Sequence, residues 1–97
     1  MATTAELEVE LVAADHFVWS GAARMVLART LDGDIGILPG HTPLLAILAE
    51  GDMLVEPVAG ERFAVHIDGG FFSVDKDRVV IVADNAQITE SMPAGSR

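Results

Sequence analysis

The chain has 97 residues, 51% of them hydrophobic and 22% charged, which is one domain of ordinary size and too apolar for a disordered chain. Its 6 basic and 15 acidic residues give a net charge of −9; this argues against nucleic acid and an anionic lipid surface as partners and fits a basic protein surface. There is no cysteine, so disulfides, thiolate metal sites and cysteine nucleophiles are excluded.

The first stretch, Glu6-Leu7-Glu8-Val9-Glu10-Leu11, alternates strictly. Such alternation predicts a half-buried strand whose glutamates form a solvated face. No basic residue precedes it, so it is not a secretory signal, and a cytoplasmic setting is expected. Phe17-Val18-Trp19 predicts a short strand ending at Ser20-Gly21. Met25-Val26-Leu27 begins another that runs to about Leu31. Asp32-Gly33 is a hairpin signal of the type I′ kind, with Ile35 to Leu38 returning and Pro39-Gly40 stopping the strand. The longest uncharged run, Ile35 to Ala49, is too short and too rich in glycine and proline to cross a bilayer. Within it, Leu44 to Leu48 fits either a buried strand or a helical turn.

Turn signals recur at Glu50-Gly51-Asp52, Ala59-Gly60-Glu61, Asp68-Gly69-Gly70 and Asp75-Lys76-Asp77. The segments between them, Met53 to Val58, Phe63 to Ile67, Phe71 to Val74 and Val79 to Ala83, predict strands. Val79 to Val82 is apolar on both faces and is expected to be central. Short strands with close-set turns predict an all-β fold, a flattened β-sandwich or barrel. The expected core includes Leu7, Val9, Leu11, Met25, Leu27, Val65, Ile67, Val80 and Val82. Residues 1–88 form the domain, and 89–97 read as a polar tail.

Catalytic and cofactor chemistry has little support. His16, His41 and His66 sit in different elements without ligand-like spacing, so no metal site is expected. Asp32-Gly33-Asp34 and Asp75-Lys76-Asp77 read as hairpin tips and lack the EF-hand pattern. No GxSxG, P-loop or GxGxxG occurs. Trp19 is expected in the core rather than as a ligand platform. Lys76 at a hairpin tip superficially resembles the modified lysine of lipoyl and biotinyl carrier domains, although its neighbours lack the Met-Lys-Met pattern. A carrier domain modified at Lys76 is therefore the alternative function.

The segment Val18-Trp19-Ser20-Gly21, then Val26 to Arg29, then GDIGILPGHTPLL from Gly33 to Leu45, resembles the epsilon subunit of F-type ATP synthase. His66-Ile67-Asp68-Gly69-Gly70-Phe71 and Val80-Ile81-Val82-Ala83-Asp84 continue the similarity, which covers residues 6 to 88. The resemblance implies a flattened sandwich of about ten short strands. It implies a non-catalytic rotor subunit of the central stalk, without a cofactor or small-molecule ligand. Its partners would be the gamma subunit and the c ring, with no nucleic acid and no membrane insertion. Its location would be peripheral, on the cytoplasmic face of the bacterial cell membrane.

Carried over by motif, Asp34 matches the acidic residue facing the c-ring loop, which bears an arginine in the family. His41 matches the histidine of the PGH element, and Pro39 and Gly40 shape the same contact. The resemblance implies that Asp34 and His41 lie together at one exposed end. A straight strand would separate them, so the expectation requires a bend at Gly36 or Gly40. Many family members continue into a C-terminal helical hairpin that regulates hydrolysis and in some binds ATP. The residues after Ile88 do not resemble it, so neither the inhibitory state nor a nucleotide site is expected.

Overall fold

The structure is a computed structural model that describes residues 6–92. The described residues form strands and turns and no helix, hence none long and apolar enough to cross a membrane. The strands are β1 (Leu7–Ala13), β2 (His16–Thr30), β3 (Gly33–Ile37), β4 (Leu44–Leu48), β5 (Gly51–Pro57), β6 (Arg62–Ile67), β7 (Gly70–Asp75), β8 (Arg78–Ala83) and β9 (Ala86–Met92). The all-β expectation holds. Leu44 to Leu48, left open between strand and helical turn, is a strand. Ala86–Met92 also reaches past the expected start of the tail, and residues 93–97 lie outside the described part.

The strands pair in the order β1-β8-β7-β4-β2-β5-β6-β9, with β3 on β2 and a further β1–β2 pairing that closes the path. The β1–β8 pair is parallel, while the other pairs are antiparallel. β8 is central, between β1 and β7, as its doubly apolar run predicts. β2 serves both layers. Its first half pairs with β1, and its second half pairs with β5 and β3.

One irregularity sets which side chains enter the core. The β2–β5 register shifts between Ala23 and Met25. Ala23 is buried before the shift, and Val26 and Ala28 are buried after it. A bulge inserts one residue and reverses the parity of everything beyond it. Met25 is consequently only half-buried and Leu27 is exposed, against expectation. Val80 and Val82 are likewise half-buried, while Val79 and Ile81 face the core. Leu7, Val9, Leu11, Val65 and Ile67 are buried as expected. Among the described residues the buried set is entirely apolar. Trp19 packs against it, edge-on to Phe63 with ring centroids 5.1 Å apart.

The expected break at Ser20-Gly21 does not occur. Gly21 pairs with Val9 inside β2, and a Cβ there would come within 2.9 Å of the Trp19 ring. The glycine accommodates the indole and does not end the strand. The hairpin after β2 turns on Leu31-Asp32, with Thr30 paired to Gly33, one residue earlier than expected. Only Gly33 of that turn takes positive φ, at 120°. Positive φ at both central residues, the type I′ signature, occurs instead at Lys76 (52°) and Asp77 (65°).

Candidate functional site

Two surfaces stand out, one apolar and one acidic. The apolar one follows from register. Directly paired residues share a sheet face, and Ile47 pairs with Phe71, Phe71 with Val82, Val82 with Val12, and Val12 with Phe17. A continuous apolar row therefore crosses β4, β7, β8, β1 and β2 on the outer face. Leu45 extends it along β4. Exposure is 60% at Phe17, 55% at Ile47, 44% at Phe71 and 70% at Leu45. Contiguous apolar area of this kind on a small domain marks a contact surface. Sequence reasoning missed it because Val80 and Val82 read as core and the phase of β4 was undecided.

The acidic surface lies where four connections meet. The Leu31 N–H donates to the Ile47 carbonyl and the Ala49 N–H to the Arg29 carbonyl. The Asp68 N–H donates to the Asn85 carbonyl and the Asp84 N–H to the Gly69 carbonyl. These bonds gather the turns that carry Asp32, Glu50, Asp68 and Asp84. Asp34 stands beside them on β3, paired with Arg29, whose Nε donates to its Oδ1 at 3.1 Å. Both partners are more than half exposed, so the pair contributes little to stability, about 0–1 kcal/mol.

His66 lies in the same region. Asp52 sits directly opposite it on β5, and His66 Nδ1–H donates to Asp52 Oδ1 at 3.0 Å. Its Nε2 faces Asp68 Oδ1 at 3.4 Å and Glu50 Oε2 at 3.8 Å. The hydrogen bond to Asp52 raises His66 above the ordinary imidazole value; partial desolvation opposes it, and the charges of Asp52, Asp68 and Glu50 add to the rise. No carboxylate partner was legible for this histidine, yet a signal existed. A hairpin centred on Ala59 puts Asp52 opposite His66.

The PGH turn is elsewhere. The Gly40 N–H donates to Asp77 Oδ1 at 2.7 Å, which ties the turn to the β7–β8 hairpin tip. His41 Nδ1–H donates to the Thr42 carbonyl at 2.7 Å. That tip adjoins the Leu44–Val74 pair, whereas Asp34 lies beside the Thr30–Leu48 pair at the other end of β4. Gly36 and Gly40 do not bend the chain back, so Asp34 is separated from Pro39, Gly40 and His41. Lys76 is exposed at the β7–β8 tip.

An open groove runs along β1, lined by Glu8, Glu10, Ser20, Gly21 and Arg78. Arg78 lies 3.7 Å from Glu8 and 3.5 Å from Glu10. The glutamate face is thus solvated, as expected, and partly neutralised. Its groups are paired with one another, and the groove holds no nucleophile beside a base.

Fold and surfaces together define an all-β domain whose distinctive residues face outward. The family model described as ATP synthase, Delta/Epsilon chain, beta-sandwich domain matches residues 6–89. The chain is 51% identical over 90 residues to an ATP synthase epsilon chain of Micrococcus luteus, covering 93% of this chain and 99% of that one. A chain in the mitochondrial ATP synthase of Euglena gracilis (OSCP, F1 and c-ring) superposes with TM-score 0.82 at 28% identity. That match covers 91% of this chain and 56% of the Euglena chain. A chain from the central stalk and c-ring of the Tetrahymena thermophila enzyme shares the fold, with TM-score 0.70 at 17% identity over 89% of this chain and 69% of its own. The chain belongs to the ATP synthase epsilon-chain family, as its N-terminal β-sandwich domain, and the family's members are non-catalytic central-stalk subunits.

Proposed function

We propose that this domain couples rotation of a c ring to the catalytic head by docking on a gamma subunit through the outer apolar row and on the c ring through the acidic end. The complex is then peripheral on the cytoplasmic face of a bacterial membrane. The observation that carries the reading is the row from Ile47 through Phe71, Val82 and Val12 to Phe17. It leaves large side chains in water on a chain whose core is already complete. Burying such a row against a partner supplies a nonspecific hydrophobic driving force of roughly 25 cal/mol per Å², and flanking charges set orientation.

At the acidic end, Asp34 is the residue placed to meet a basic c-ring loop, with Arg29 holding its carboxylate in position. Pro39, Gly40 and His41 lie at the opposite end of β4, where the Gly40–Asp77 bond fixes the turn, and stand apart from the Asp34 contact. Modification of Lys76 as in a carrier domain has no comparable support, since the family match accounts for the motifs around it.

Co-purification with the gamma subunit tests the apolar row. Phe71→Glu should abolish the complex while the far-UV circular dichroism spectrum stays that of the parent, because Phe71 lies outside the core. A variant that still binds gamma at parental strength would refute this docking face. For the acidic end, Asp34→Lys is expected to weaken ATP-driven proton pumping in reconstituted membranes without loss of the isolated fold. Unchanged coupling and assembly would remove Asp34 from the contact.

A further inference from the structure

We infer that His66, Asp68 and Glu50 form a binding site for one divalent first-row transition ion, Zn²⁺ being the best match, with Asp52 orienting the imidazole. The donor set is mixed and comes from different segments: Glu50 from the β4–β5 turn, His66 from β6, and Asp68 just beyond it. One ligand atom from each falls within 4.8 Å of the others. Donor atoms bound to a single zinc at about 2.0–2.1 Å with tetrahedral angles stand roughly 3.3 Å apart. The observed separations of His66 Nε2, 3.4 Å to Asp68 and 3.8 Å to Glu50, lie within about half an ångström of that spacing.

The imidazole is also held as a ligand is held. Its Nδ1–H is committed to Asp52, which leaves Nε2 facing the two carboxylates, where a metal ion would take the place of a proton. A carboxylate on the far nitrogen of a metal-bound histidine fixes the tautomer and raises ligand basicity. A nitrogen with two carboxylate oxygens favours zinc and its neighbours over calcium or magnesium, which take oxygen sets. All three ligands are reachable from solvent, and water completes the coordination. Ligation needs Nε2 deprotonated, so the metal competes with the proton that the neighbouring carboxylates favour there. The bound ion ties the β4–β5 turn to the end of β6 and offsets the negative charge of Glu50 and Asp68.

Isothermal titration of ZnCl₂ into the untagged, chelator-treated protein tests the site, with Co²⁺ absorption and the His66 ring nitrogen shifts as spectroscopic readouts. A saturable single equivalent is expected, with the His66 Nε2 resonance moving on addition of metal. His66→Ala and Asp68→Asn should each weaken binding at least ~10-fold, and Asp52→Asn about 10–100-fold through loss of ring orientation. His16→Ala should leave affinity unchanged. Circular dichroism of each variant without metal checks that it is folded. Absence of saturable binding at millimolar Zn²⁺, binding unaffected by His66→Ala, or Ca²⁺ binding as tightly as Zn²⁺ would each overturn the site.

Discussion

Gly70 carries the heaviest steric demand of the described glycines. Its φ is +133°, and a Cβ there would sit 2.1 Å from the Val82 carbonyl oxygen and 2.8 Å from the Ala83 Cα. Both are backbone atoms of the neighbouring central strand, so no rotamer change relieves the overlap. Gly70→Ala should therefore cost roughly 3 kcal/mol, from φ strain plus displacement of β8, measured as a lower urea midpoint with unchanged slope. His66 sets a second expectation at this scale. Its folded-state value is raised, chiefly by the Asp52 hydrogen bond. The stabilisation it contributes is fully present below the unfolded imidazole value, about 6.5, and is lost as pH rises through the raised folded value. In chelator-treated protein, nitrogen-resolved titration should place the His66 midpoint above the ordinary value, and Asp52→Asn should lower it.

At the scale of elements, the β7–β8 hairpin is turned by residues ill suited to its geometry. Lys76 and Asp77 both hold positive φ, a region that costs L-residues about 1–2 kcal/mol each. Asp77 accepts the Gly40 N–H, whereas Lys76 stands exposed at the tip. Lys76→Gly should raise stability by about 1 kcal/mol, read from thermal or urea unfolding. Parity within β8 gives a sharper comparison. Ile81→Ala should cost about 2–5 kcal/mol, whereas Val82→Ala, half-buried on the outer row, should cost less than about 1 kcal/mol in the isolated domain. Equal losses at the two positions would contradict the register.

For the whole molecule, the apolar row and the acidic end lie on different parts of one closed sheet path, so a single rigid domain can meet two partners. Substitutions on the two surfaces should be separable. Phe71→Glu should remove gamma binding and Asp34→Lys should disturb c-ring coupling, and their effects should add, since Phe71 pairs with Ile47 and Val82 and Asp34 with Arg29. A double variant no worse than Phe71→Glu alone in c-ring cross-linking yield would indicate that both residues report on one interface.

Strand existence was legible in the chain because alternation, Asp-Gly and Pro-Gly signals are local. Glu6 to Leu11, the central run from Val79 and the turn at Asp75-Lys76-Asp77 all appear where the pattern places them. The motifs from Gly33 to Leu45 and around Gly69-Gly70 also made the family recognisable, and their Gly33, Gly40, Gly69 and Gly70 hold positive φ, which few other residues adopt. Facing was a different matter. Met25 and Leu27 lost their core positions to a bulge that only the β2–β5 pairing defines. Val82 became part of an exposed row only once its neighbours Phe71 and Val12 were known. Asp34 and His41 are close in sequence but divided by β4, while Glu50, Asp52, His66 and Asp68 are gathered from separate turns. Local pattern determines where a strand starts and stops; the hydrogen-bonded register between distant strands decides which side chains meet, because one residue of slip moves every side chain to the opposite face.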